Sequence, residues 1–378
     1  MKNVFMCVNY PKYNPAIGIS KKIHTQIEAF QKIGYDVTYS AYSDTGIEIF
    51  ENDKLVDSYR YKSHIPPKLI KLYRYTLLLD ACRKYIEKGG KSYDLGFVRW
   101  NALTNKFITI MRAMDSRCKK IIMDCHGYHP SYNPHTIKGK YIQVFTNLNS
   151  DKMHQYIDLC FLEAKDNAVW GIPAMPIDTG IDVDAYLPHI YKGEINEIHM
   201  ISVANELSYH GYDRIIRGIS EYKGDREVYL HLVGKMSNKT INLVKKLKLE
   251  EKVIFHGYQT GESLRQIYED CNIGVGPLAP HRIGGKQGTG IKTKEYFAIG
   301  LPYFFAGQEL LVPDDFPFVL KCESNDNPIN VELIIKFYDK VKNHMEIQNI
   351  MREFAREHFS WPKTFLKAES ILFSNVQQ

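Results

Sequence analysis

Short apolar runs rich in β-branched and aromatic residues alternate with longer stretches of helical periodicity, and this series runs through the chain twice. In the first half "NVFMCV", "DVTYSAY", "LGFVRW", "KIIMDC" and "LCFLE" read as strands, separated by helical stretches near residues 19–32, 68–87, 103–114 and 139–155. After "MPIDTGIDVDAYLP" the series restarts: "IHMISVA", "VYLHLVG", "KVIFHG", "NIGVGPL" and "PYFFAG" alternate with helices near 212–222, 238–248, 262–270 and 291–299. Such alternation folds as parallel strands with helices on both faces. The expected fold is therefore α/β, with two Rossmann-like doubly wound domains, a cleft between them and a hinge near residues 180–195. The expected domains are 1–185 and 186–359. A last helical stretch over 331–357 breaks at "FSWP", resumes through "KTFLKAESIL" because Pro362 can open a helix but not continue one, and is expected to cross back as residues 360–378 onto the first domain.

A length of 378 residues is enough for two cores. With 44% hydrophobic and 24% charged residues, disordered and fibrous classes are excluded. The balance of 49 basic and 43 acidic residues is spread along the chain without a basic tail, which suits a small anionic ligand and not nucleic acid. Seven cysteines without regular spacing read as reduced core residues, so a cytoplasmic location is expected. The amino terminus is too short an apolar run for a signal-peptide core, and no stretch approaches a membrane span.

The stretch "GTGIKTKEYFAIGLPYFF", residues 288–305, is a glycine loop feeding a short helix that ends at Gly-Leu-Pro. Thr289, Lys292 and Lys294 look exposed, and Glu295 is expected in the first helical turn. A helix N-terminus with free N–H groups and a lysine suits phosphate, and a carboxylate one turn in suits ribose hydroxyls. In the first domain, Gly18 opens a helix where a missing side chain permits close backbone approach. "DCHGYHP" follows a strand and puts His126, Tyr128 and His129 at a C-terminal strand end, where open α/β sheets bind ligands.

Taken together, the two halves, the "DTGIDVDAYLP" loop, "SVANELSYHGYDRIIRGI" and "GIKTKEYFAIGLPYFF" resemble the GT-B glycosyltransferases, and more narrowly the retaining, nucleotide-sugar-dependent enzymes of family four in bacterial polysaccharide assembly. The resemblance implies that Glu295 holds the donor ribose and that backbone amides of Thr289, Gly290, Ile291 and Thr293 hold the diphosphate. It matches His126 to a histidine near the donor sugar. It matches Gln287 to the first glutamate of the family's pair, and Asn205 and His210 to its diphosphate-clamping Arg and Lys. These replacements leave Lys292, helped by Lys294 or Lys235, to supply positive charge. Gly234, Lys235, Gly257 and Tyr258 fall in loops that border the phosphates and base. The resemblance further implies donor binding by the second domain, acceptor binding by the first, a UDP- or GDP-sugar as substrate with no cofactor, and a glycan or lipid-linked acceptor in surface polysaccharide synthesis.

No metal is expected. "DVD" at Asp182–Asp184 copies an Asp-x-Asp motif but sits in a hinge loop, and no HExxH or cysteine pair accompanies the histidines. Residues 64–88 interleave Lys68, Lys71 and Arg74 with aliphatic and aromatic residues, which reads as a core helix with a solvated basic face or as a peripheral contact with anionic membrane at its inner face. Two other readings stand beside the transferase. A GT-B sugar-nucleotide epimerase would need a carboxylate-rich site, and a degenerate homologue would act as a partner-binding scaffold.

Overall fold

In the first half of the chain, strands alternate their side chains between two helical layers. On β1 (Lys2–Cys7), Val4 and Met6 enter one core while Phe5 and Cys7 enter the other, the period of two expected of a strand covered on both faces. The computed structural model describes residues 2–12, 18–61, 67–125, 137–190, 196–284 and 290–374. After β1 come α1 (Gly18–Lys32), β2 (Tyr35–Tyr42), β3 (Gly46–Glu51), β4 (Lys54–Arg60), α2 (Pro67–Gly89), β5 (Tyr93–Arg99), α3 (Asn105–Asp115), β6 (Cys118–Asp124), α4 (Ile137–Asn149), β7 (Leu159–Leu162), β8 (Ala168–Val169) and β9 (Ile172–Pro176). They form one sheet in the order β4-β3-β2-β1-β5-β6-β7-β9-β8, parallel from β2 through β9 with antiparallel pairs at both edges.

The second half comprises β10 (Ile198–Val203), α5 (Tyr212–Glu221), β11 (Val228–Val233), α6 (Asn238–Lys246), β12 (Val253–Gly257), α7 (Gly261–Glu269), β13 (Ile273–Val275), α8 (Ile291–Ile299), β14 (Tyr303–Ala306), β15 (Val319–Cys322), α9 (Val331–Val341) and α10 (Ile347–His358). Its sheet is parallel in the order β12-β11-β10-β13-β14-β15. The chain leaves β10 toward β11 and β12, then returns to the other side of β10 as β13. The switch point of this unit therefore lies between β10 and β13.

A final helix, α11 (Trp361–Phe373), belongs to the first unit, where Phe365 stacks on Phe30 at 3.8 Å and meets Phe97 and Phe161 at 5.9 and 6.0 Å. The units divide as residues 1–178 with 361–378, and 179–360. The boundary thus falls at 178/179 and not at 185/186. From Thr179 onward the segment serves the second unit, with the Ile181 amide donating to the Phe359 carbonyl at 2.7 Å. The helical stretch expected over 331–357 is two helices, since α9 ends at Val341 and α10 starts at Ile347. Two hairpins, β3–β4 and β8–β9, were not expected from the sequence. Among the described residues no helix is long and apolar enough to cross a membrane.

Candidate functional site

The C-terminal ends of β10 and β13 are joined by side chains. Ser202, next to last in β10, donates from Oγ to the carbonyl of Val275 at the end of β13 (3.1 Å), and its Oγ also meets the Tyr212 hydroxyl at 3.0 Å. Tyr296 of α8 donates to the carbonyls of both Ile201 and Val275, at 3.0 and 3.1 Å. The loops that follow the two strands are stitched by amides of Leu278 and Ala279 donating to His210 and Tyr209 (3.1 and 2.9 Å). Gly211 sits between them at φ 64°, where a Cβ would lie 3.0 Å from Ala279, so a bulkier residue would push the loops apart.

Into this switch point α8 sends Lys292. It is 4% exposed, donates from Nζ to Ser202 Oγ at 3.0 Å and lies 5.7 Å from the centre of the Tyr212 ring. Burial alone pushes the ammonium down to about 7. Among the described residues no carboxylate pairs with it, so the cation is short of counter-charge. Lys292 was read as exposed, and the structure corrects this: it is an interior group at the sheet's end. Lys294 is corrected likewise, being fully buried in an ion pair with Glu309 and lying over the Phe359 ring at 4.9 Å.

The helix α8 begins at Gly290, whose extended dihedrals make it the N-cap and which offers no side-chain cap. Among the described residues nothing caps the first-turn N–H groups, a geometry that suits an anionic acceptor. Ile291 follows as the first helical residue. Thr293 is buried and donates its hydroxyl to the Gly290 carbonyl at 3.0 Å, so only its backbone could serve a ligand. Glu295 is the fifth helical residue, one turn further in than a first-turn position. It is half-buried and takes a hydrogen bond from the Tyr186 hydroxyl at 2.8 Å, while burial, then the Glu295 charge, pushes that phenol up.

Two predicted clamp positions are committed to the loops. His210 is buried, accepts the Leu207 amide at Nδ1 (3.0 Å) and stacks near Tyr212; burial, then the Lys292 charge, pushes it down to about 3, so it is neutral at physiological pH. Asn205 accepts the Lys235 amide (2.9 Å), tying the loop after β10 to the loop after β11. Glu206, which the sequence reading missed, extends the tie by accepting from the Ser237 amide and the Thr240 hydroxyl at 2.7 and 2.6 Å. Gly234, at φ 121°, could not carry a Cβ without meeting the Ala204 carbonyl at 2.4 Å, and its amide donates to the Gly257 carbonyl at 2.6 Å. Three loops thus meet at one edge. On them Lys235 is exposed, with no partner for its ammonium among the described residues, and Tyr258 is 63% exposed.

The structure therefore gathers Asn205, His210, Gly234, Lys235, Gly257, Tyr258, Gly290, Ile291, Lys292, Thr293 and Glu295 at the C-terminal edge of the second sheet and the helix that enters it. His126, Gln287 and Thr289 lie outside the described residues, as does the Gly288 part of the loop. Gly18 opens α1 in the first unit. Ser202, Tyr212 and Tyr186 went unrecognised, because hydroxyls at a strand end, a helix start and a hinge loop carry no motif of their own.

A family described as "Glycosyl transferases group 1" matches residues 198–306, the span from β10 through β14 that contains this edge. No curated protein matches the sequence. Among solved structures, a glycosyltransferase from Rickettsia africae is 14% identical with a TM-score of 0.67, covering 100% of this chain and 99% of that one. Sucrose-phosphate synthase from Thermosynechococcus elongatus is 14% identical with a TM-score of 0.68, covering 99% of this chain and 100% of that one. HepE from Anabaena, in complex with UDP, is 14% identical with a TM-score of 0.62, covering 98% and 99%. The fold is α/β with parallel sheets, as in GT-B glycosyltransferases, along the whole chain.

Proposed function

We propose that this chain is a glycosyltransferase that moves a sugar from a UDP- or GDP-linked donor to a hydroxyl of a glycan or lipid-linked acceptor. The observation that carries the reading is the N-terminus of α8 at the switch point, uncapped among the described residues, with Lys292 buried beside it and no carboxylate among the described residues paired with it. A diphosphate there would supply both what the free N–H groups accept and what the desolvated ammonium needs. The exposed Lys235 would add charge, Glu295, held by Tyr186, would accept ribose hydroxyls, and Tyr258 offers a face for a base. The first unit would take the acceptor.

We read the reaction as retaining and independent of metal. Without a nucleophile at the sugar, front-face attack lets the departing phosphate take the acceptor proton, and the protein's part is to position both substrates and to stabilise the leaving diphosphate. Gln287 can hydrogen-bond but brings no charge to the sugar. Peripheral membrane contact through residues 64–88 remains part of the proposal, but Arg74 lies 3.6 Å from the Tyr42 ring, so only Lys68 and Lys71 should be changed to test it.

Calorimetric titration with UDP and GDP, with and without EDTA, tests the donor site. Binding of one of them, unchanged by EDTA, is expected. Glu295→Ala should weaken nucleoside and nucleoside diphosphate alike by ~1.5–3 kcal/mol, the range for a hydrogen bond to a charged group. Binding of neither nucleotide would favour a partner-binding scaffold, the reading suggested by Asn205 and His210 being spent on loop architecture.

A further inference from the structure

Away from the nucleotide edge, three histidines on adjacent strands of the second unit are hydrogen-bonded in series. Glu197, just before β10, meets Nε2 of His199 at 2.9 Å; His199 Nδ1 meets His231 Nε2 at 2.9 Å; His231 Nδ1 meets His256 Nε2 at 2.9 Å. The chain crosses from β10 through β11 to β12, which is the edge strand of the sheet. Tyr229 stacks on His199 at 4.6 Å, and the rings of His231 and His256 stack at 5.1 Å. The three rings are not arranged to hold a metal, because their facing nitrogens are committed to each other.

Proton counting gives this series an unusual property. Each nitrogen-to-nitrogen contact needs one hydrogen. With the Glu197 carboxylate accepting from His199 Nε2–H, the neutral chain is polarised one way, and all three rings must be the Nε2–H tautomer. One added proton can sit on His256 Nδ1, or be handed along to leave the cation on His199 against Glu197, and every contact survives. A second proton added to the rings, as distinct from one taken by Glu197, puts two hydrogens into one contact and forces it apart. Burial, then the neighbouring His199 and His256, pushes His231 down to about 4, and burial lowers His256 against the opposing pull of Asp270. The other charges at the start of β11 and β12, Glu227 and Lys252, pair with each other at 3.1 Å, and on α7 Arg265 pairs with Glu262 and Glu269. Glu197 and Asp270 are therefore the carboxylates that act on the chain.

We propose that Glu197, His199, His231 and His256 form an acid-sensitive latch on β12, intact with up to one added proton and opened by the second. His256 is followed by Gly257, whose carbonyl takes the Gly234 amide at 2.6 Å, so opening the latch loosens the turn that closes the nucleotide edge. That last link rests on the donor-site reading above; the latch does not.

Imidazole nitrogen NMR of the full wild-type chain at pH 7.5 should show three Nε2–H tautomers, and on acidification the three rings should shift in common steps, since interacting sites titrate as a unit. Hydrogen exchange, corrected for intrinsic rates, should show β12 amides losing at least tenfold protection between pH 7.5 and 3.5 relative to β13 and β14. His231→Leu should abolish that difference. Independent titration of the rings, another tautomer pattern, or equal β12 protection at both pH values overturns the latch, and needs no variant. Affinity for whichever of UDP and GDP the wild type binds should fall between pH 7.5 and 3.5 and should not fall in His231→Leu. A wild type that binds neither UDP nor GDP overturns the donor-site reading alone, while the ring and exchange data still decide the latch.

Discussion

Lys292 concentrates the physics of the site in one residue. Its folded value, about 7, lies far below that of an exposed lysine, so between those two values the unfolded chain binds a proton that the folded chain does not. Stability should therefore fall as pH drops from about 10 to about 7 and stay low beneath that. Lys292→Met should flatten this dependence and raise stability at pH 7 by a few kcal/mol on the order-of-magnitude conversion of such a shift. The same variant should lose nucleoside diphosphate binding much more than nucleoside binding, and chemical denaturation across pH with calorimetry reads both. A destabilised Lys292→Met would mean the ammonium is a satisfied structural group. The sequence offered Lys292 as a phosphate partner but not its burial, because the groups that enclose it are far along the chain: Ser202 is 90 residues away. For the same reason Lys294 looked like a helper, its partner Glu309 standing 15 residues beyond, on the far side of β14. Residue type and loop position were legible; long-range partners were not.

At the scale of elements, α8 was legible to the residue because glycine bounds it at both ends, with Gly300 at φ 77° closing it. The β3–β4 hairpin was missed although its signal was present: Asn52 and Asp53 both take positive φ, 44° and 64°, as a two-residue turn between alternating strands requires. In the β8–β9 hairpin Trp170 and Gly171 do the same at 52° and 76°, with a tryptophan that no turn rule favours. Positive φ also yields a paired prediction of opposite sign. Lys248, exposed just after α6, sits at φ 55°, so Lys248→Gly should stabilise by ~1 kcal/mol, the cost of that conformation for an L-residue. Gly300→Ala should destabilise, because beyond the strained φ its Cβ would lie 2.5 Å from the Gln348 backbone in α10. Thermal unfolding of both variants checks the pair, and a stabilised Gly300→Ala would remove the close approach of α8 and α10 from the account.

At the scale of the whole molecule, the doubled alternation made two sheet-centred units legible, and Pro362 marked the start of a helix that returns to the first of them. The point at which the chain changes unit was placed seven residues late, because residues 179–185 read as hinge by composition while their amides and side chains already serve the second unit, as Asp184 does in pairing with Arg356 at 3.0 Å. The return has an energetic consequence. The first unit's core is completed by the last helix of the chain, with Phe365 against Phe30, Phe97 and Phe161 and Trp361 1% exposed beside it at 5.6 Å. Phe365→Ala should cost ~3–5 kcal/mol, as buried phenylalanine truncations do, and the loss should fall on the first unit, since a two-unit chain need not unfold in one step. Hydrogen exchange should then show protection lost across β1, β5 and β7, the strands that face α11, and retained across β10, β11 and β13. Binding of UDP or GDP, which the proposal assigns to the second unit, should survive at temperatures where the first has opened. Equal loss of protection in both units would mean that they unfold together, and that α11 stabilises the chain as a whole.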